Sequence, residues 1–191
     1  QHAFWGPEYN DHEIEQSIID AGYSVCKLKD SDQTVEVAAQ LIEAGNVVGW
    51  YQGRSEWGPR ALGNRSILAN PLIPSMKDII NKKIKKRESF RPFAPSVLRE
   101  EVSRFFEQDL DSPFMMHVVK FKAEYLNKFP AVTHIDGTGR LQTVSMDNNP
   151  LYYRLIKEFK KLTGHGILLN TSFNENEPIV DTPAQAIACF K

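Results

Sequence analysis

The stretch "NPLYYRLIKEFKKLTGHGILLNTSFN", Asn149–Asn174, decides the fold class. Its first part carries apolar residues at helical spacing, with Pro150 at the start and Gly164 where a helix would end. A short apolar run, Ile167–Leu169, then leads directly into Asn170, Thr171, Ser172 and Asn174. A helix, a glycine, a buried strand and a polar loop form one half of an α/β unit. In open α/β sheets, ligands bind beyond the carboxyl ends of such strands. The neutral amides and hydroxyls here suit a ligand's amide, hydroxyl or phosphate oxygens. A capped turn that satisfies only local backbone groups explains them as well.

The same grammar opens the chain. "NDHEIEQSIIDAG" and "SDQTVEVAAQLIEAG" each predict a helix ending at a glycine, capped by Asn10 or Asp11 and by Ser31 or Asp32, and followed by the short strand "YSVCKL" and the buried strand "NVVGWYQG". Further along, "RSILANP", "FRPFAPSVL" and "FMMHVVKFKA" read as extended, and "PSMKDIINKKIKKR" and "REEVSRFFEQ" as helices. "AVTHIDGTGRLQTVS" reads as two strands around an Asp136-Gly137 turn. "TPAQAIACF" starts a last helix capped by Thr182. Strands and helices alternate with one hairpin among crossovers, which predicts an α/β domain with a twisted mixed sheet flanked by helices.

The 191 residues suffice for one domain with a sizeable core. The net charge of −1 gives no global pull toward nucleic acid or an acidic membrane. Its distribution is uneven. From Arg54 to Arg91, ten Lys and Arg face Glu56, Asp78 and Glu88, a local +7 that leaves −8 for the remainder. Two cysteines, Cys26 and Cys189, form no CxxC, so two reduced thiols and a cytoplasmic protein are expected. No apolar run is long enough to span a bilayer. The chain begins without Met and stops within a helical pattern, so an excised piece of a longer protein is expected, with residues 1–22 a lead-in and 23–191 the domain.

Two basic segments carry possible chemistry. In "SEWGPRALGNRSILANP", Ser55–Pro71, glycines loosen a loop that holds Arg60 and precedes Arg65. Guanidinium forks match phosphate or carboxylate, although arginines paired with surplus surface acids would look the same. The loop lacks the GK[ST] ending of a P-loop. In "KKIKKRESFRP", Lys82, Lys83 and Lys86 read as a solvated face. Lys85, Arg87 and Arg91 stand where the helix breaks and can reach a ligand. Arg140 leaves the turn "THIDGTGR", in which His134 reads as a packed or hydrogen-bonded residue. Neither a nucleophile–base pair nor a metal motif is visible in the sequence.

Four segments together resemble the C-terminal domain of NodU/CmcH-type carbamoyltransferases: "WGPRALGNRSILANP", "RESFRPFAPSVL", "HIDGTGRLQTV" and "ILLNTSFNENEPIVDTPAQAI". The resemblance implies a YrdC-like fold that takes carbamoyl phosphate and ATP with Mg²⁺ as its substrate complex, and no metal site of its own in this domain. It implies carbamoyl adenylate as product, passed to a small-molecule hydroxyl on an N-terminal actin/Hsp70-like ATPase domain of the same chain. It implies catalytic roles for Lys85, Arg140 and Ser172, and substrate-binding roles for Arg60, Arg87, Arg91, Asn170 and Asn174. Ser89 departs from the family pattern, where a bulkier residue or proline is expected. The contrasting expectations are a non-catalytic YrdC-like module that binds nucleotide or RNA, or a mere docking domain. Against RNA, no aromatics interleave the lysines.

Overall fold

The computed structural model describes residues 2–191. Six strands form one sheet: β1 (Val48–Tyr51), β2 (Arg65–Ala69), β3 (Ala94–Leu98), β4 (His117–Lys120), β5 (Thr138–Val144) and β6 (Ile167–Ser172). Their order is β1-β2-β6-β3-β5-β4. Only β3 and β5 run parallel; every other neighbouring pair is antiparallel. The mixed α/β sheet expected from the sequence is therefore what forms.

The central strands are apolar on both faces because both faces are covered. On one side lie α2 (Ser31–Glu43) and α5 (Pro150–Thr163), whose Val35, Ala39, Ile42, Leu155, Ile156 and Phe159 pack with Leu68, Leu98 and Leu168. On the other, Met76, Ile80, Phe93, Phe105, Phe106, Phe121 and Phe129 pack with Val97, Ile167 and Leu169. Consecutive residues of β6 thus serve opposite cores, as a strand's two-residue period requires. At the β1 end, α6 (Pro183–Phe190) covers Ile67 and Phe173, with α1 (Asp11–Asp20) beside it. Asn10 and Thr182 cap their helices as the sequence predicts; Asp30 caps α2 in place of the expected Ser31 or Asp32, Asn149 caps α5, and Gly164 closes α5 in the left-handed conformation.

Four local expectations change. Residues 23–28 form no strand: Tyr23, Ser24, Cys26 and Lys27 are exposed, and the segment has no ladder partner. "NVVGWYQG" is an edge strand, half-exposed rather than buried. The Asp136-Gly137 turn exists, but only its second arm is a strand. Val132 and Thr133 donate their N–H groups to the Phe129 carbonyl in a helical turn, so β5 pairs instead with β4.

The helix expected over "PSMKDIINKKIKKR" is the change that bears on function. It is α3 (Met76–Ile79) for four residues only, then a π-helical turn, Ile80–Ile84, then Lys86 at φ 43°. Widened turns of this kind redirect the chain. Here Lys85 and Arg87 leave in separate directions as a result.

The segment before α1 lies along the arginine loop. The N–H of Trp57 donates to the Ala3 carbonyl at 2.6 Å, Gly6 donates to Ser55, and Ser55 donates to Pro7. No described helix is long and apolar enough to cross a membrane.

Candidate functional site

Three strands place a polar ladder across an otherwise apolar sheet. The register sets Ser96 of β3 opposite Gln142 of β5, and Ala94 of β3 opposite Asn170 of β6. Ser96 Oγ donates to Gln142 Oε1 at 2.5 Å, and Asn170 Nδ2 donates to the same oxygen at 2.9 Å. Gln142 Nε2 donates to the Leu62 carbonyl at 2.8 Å, and Asn170 Nδ2 also reaches the Ala61 carbonyl at 3.1 Å. Buried polar groups that satisfy one another in this way fix a unique geometry. The ladder therefore pins the loop residues that follow Arg60 to the sheet.

Glu56 holds the loop from its other side. Its Oε1 accepts N–H groups from Leu62 at 2.6 Å, Asn64 at 2.8 Å and Arg65 at 3.3 Å. Gly63 is held at φ 108°, and a Cβ there would stand 2.2 Å from the Tyr152 ring. The turn accepts only glycine, for both reasons.

The loop closes one wall of a cavity of about 120 Å³. Arg60, Arg87, Arg140, Asn170, Thr171 and Ser172 line it, with Phe93 and Met115 as apolar surface. Burial, then the charges of Arg60 and Arg87, push Arg140 below the usual arginine range. Three like charges around one small space repel one another, and a bound anion would remove that cost. Arg140 Nε and Asn170 Oδ1 are buried without a hydrogen-bond partner. Such atoms are rare in folded proteins and mark places where a further group is expected.

Lys85 stands behind this cavity rather than in it. Its Nζ donates to the Ser172 carbonyl at 2.6 Å, the Asn174 carbonyl at 2.6 Å and Asn174 Oδ1 at 2.7 Å, and reaches Ser172 Oγ at 3.3 Å. Ser172 Oγ in turn donates to Asn174 Oδ1 at 2.6 Å. An amide oxygen is no base, so Ser172 is arranged as a fixed hydrogen-bonding group and not as an activated nucleophile. Burial, then the neighbouring Arg87, push the Lys85 ammonium down to about 8.

A second, larger cavity of about 600 Å³ adjoins the first. Ser172 and Pro59 line both. Asn174, Glu56, Trp57, Asp181, Gly6 and Pro7 belong to the larger one.

The structure thus brings Arg60, Arg87, Arg140, Asn170 and Ser172 to one cavity, with Lys85 and Asn174 bonded directly to Ser172. It does not bring Arg91 there. That side chain is exposed and pairs with Glu88 at 2.9 Å. His134 is hydrogen-bonded within its turn to Thr138. Lys82, Lys83 and Lys86 are exposed. Arg65 is fully buried and structural, its guanidinium stacked on Tyr51 at 3.7 Å. Sequence reasoning missed Glu56, Ser96 and Gln142; polar residues inside otherwise apolar strands were the available signal for the last two. Among the described residues, no three His, Cys, Asp or Glu side chains cluster as a metal site would need.

The family described as carbamoyltransferase C-terminus matches residues 39–191. The chain is 50% identical over 195 residues to nodulation protein NolNO of Sinorhizobium fredii, covering 100% of this chain and 28% of that protein. It is 43% identical over 138 residues to the 3'-hydroxymethylcephem-O-carbamoyltransferase of Streptomyces clavuligerus, covering 72% of this chain and 25% of that one. The chain thus spans about a quarter of the length of these relatives. Full-length HypF, solved in a phosphate- and nucleotide-bound form, shares the fold with TM-score 0.58 at 19% identity, over 87% of this chain and 20% of HypF.

Proposed function

The chain belongs to the carbamoyltransferase C-terminal family, and from that premise we propose that it forms carbamoyl adenylate from carbamoyl phosphate and ATP. The observation that supports this most is the convergence of Arg60, Arg87 and Arg140 on a small cavity beside neutral amide and hydroxyl groups. The guanidiniums suit a phosphate and its developing charge. Asn170 and Ser172 suit the carbamoyl group, whose NH₂ donates and whose carbonyl accepts. That the larger cavity shares Ser172 supports an adjoining place for the nucleotide.

In this reading water releases inorganic phosphate from carbamoyl phosphate and leaves carbamate. A carbamate oxygen attacks the ATP α-phosphate, and pyrophosphate departs with the magnesium that ATP carries. A hydroxyl oxygen of the acceptor then attacks the carbamoyl carbon, losing its proton, and AMP leaves. The chain's residues hold the reacting groups in line, neutralise phosphate charge and supply no covalent intermediate. The acceptor is a small molecule held by a separate N-terminal domain of actin/Hsp70-like type. That the curated relatives are three to four times longer than this chain supports such a partner.

The test is pyrophosphate release from ATP, with and without carbamoyl phosphate, and capture of carbamoyl-AMP. Release that requires carbamoyl phosphate is the expected result. Release indifferent to carbamoyl phosphate, with no carbamoyl-AMP, overturns the reading.

A further inference from the structure

The arginine cavity poses a mechanical problem. Arg87 lines the cavity with Arg60 and Arg140, has Arg91 as a further positive neighbour that Glu88 partly offsets, and among the described residues makes no ion pair of its own with a carboxylate. Repulsion alone would swing so long a side chain out to solvent. Its guanidinium faces the Phe93 ring at 5.1 Å, and its Nε donates to Asn81 Oδ1 at 2.7 Å.

Asn81 is placed unusually for an amide. It sits in the π-helical turn and is fully buried. Every polar group of its side chain is spent on the segment that carries Arg87. Oδ1 takes the Arg87 Nε–H, while Nδ2 donates to the Arg91 carbonyl at 3.0 Å and the Ser89 carbonyl at 3.4 Å. Its backbone carbonyl accepts the Arg87 N–H at 3.0 Å. Without the widened turn, residues 81 and 87 would be carried apart along a continuing α-helix.

The geometry points to Asn81 as the positioning residue of the anion site: it holds Arg87 in the cavity lining against the repulsion of the neighbouring arginines. Because Nε is the atom held, the two terminal nitrogens stay available to a ligand. Asn81 itself does not line the cavity. This assignment rests on the proposed use of that cavity for a phosphate group.

The experiment compares Asn81→Ala, Arg87→Ala, the double variant and Asn81→Asp, with inorganic phosphate as the probe. Asn81→Ala is expected to weaken phosphate binding about tenfold, as Arg87→Ala does, and the double variant no further than Arg87→Ala. Additive losses would mean that Asn81 acts only through the fold. Asn81→Asp keeps an acceptor for Arg87 Nε but gives up the donors to Ser89 and Arg91. It should lower Tm while binding phosphate within about threefold of the parent. Loss of binding as large as that of Arg87→Ala would overturn the assignment. A ligand-free readout separates the two claims: hydrogen exchange of the Arg87 Nε–H by NMR should be slow in the parent and fast in Asn81→Ala. If that holds but phosphate does not bind, the phosphate reading falls and the positioning stands. If exchange is equally fast in both, the positioning falls.

Discussion

Arg65 and Arg140 are both guanidiniums carried on strands of one sheet, and they are treated in opposite ways. Around Arg65 the protein supplies acceptors: the carbonyls of Gln52 at 2.7 Å, Asn64 at 2.9 Å, Asp181 at 3.3 Å and Pro7 at 3.4 Å, with the Tyr51 ring beneath. Around Arg140 it supplies two further positive charges and leaves Nε unpaired. A satisfied, fully buried charge holds a structure together, whereas a half-buried one with an unpaired Nε is free to take a partner from outside. Composition cannot tell the two apart, since both are arginines beside glycine-bearing turns.

The largest effect is expected where the contrast is greatest. Arg65→Ala strands four carbonyls and should cost roughly 3–5 kcal/mol, read as a fall in the chemical-denaturation midpoint. A variant of unchanged stability would end the comparison. Arg140→Ala should do the reverse, lowering carbamoyl-phosphate-dependent turnover by about 10²–10³-fold while Tm holds or rises, because repulsion is relieved. Next, saturating inorganic phosphate should raise the parent's Tm, by about 2.7 kcal/mol of added stability at a hundredfold excess over Kd, and leave that of Arg140→Ala unmoved.

Lys85 supplies a test with two signs. Its folded-state value, about 8, lies below the 10.5 of the free side chain. The unfolded chain therefore binds the proton more tightly, and the fold gains stability as pH rises from about 8 to 10.5. Over the same range the ammonium that holds Ser172 and Asn174 is lost. Turnover should fall above pH 8 while the Lys85 contribution to stability grows. Lys85→Met should abolish the pH-dependent part of the stability difference. The smallest effect belongs to Arg91→Ala. Its exposed, solvent-screened pair with Glu88 adds little to stability, and phosphate binding should stay within about twofold.

Much of this was legible in the sequence, and the gaps have a common cause. Caps, closing glycines and the apolar run of β6 are local signals, so the helices and the polar end of that strand could be read. Arg87, Arg140, Asn170 and Ser172 could be nominated because the sequence pattern sets each near the end of an element, and Arg60 because it sits in a glycine-loosened loop. Lys85 could be nominated but not placed, since the π-turn that sends it behind Ser172 leaves no mark in residue spacing. Arg91 shares its segment with Arg87, and contacts with Asn81 and Phe93 on one side and Glu88 on the other separate their fates. Glu56 looked like one unit of charge, whereas its function is to collect three N–H groups from residues six to nine positions onward. Ser96 and Gln142 meet across strands far apart in the chain, a pairing that no local pattern encodes.

The polar ladder has a consequence for assembly. A slip of β5 by one residue against β3 would move Leu141 or Thr143 to the place of Gln142 and turn Arg140 to the opposite face. The same error would orphan Ser96 and Asn170 in the core. Misthreaded chains therefore lose the arginine cavity and the stability of the sheet together. The ladder acts as a proofreading lock, so that no stable but inactive register accumulates beside the working one.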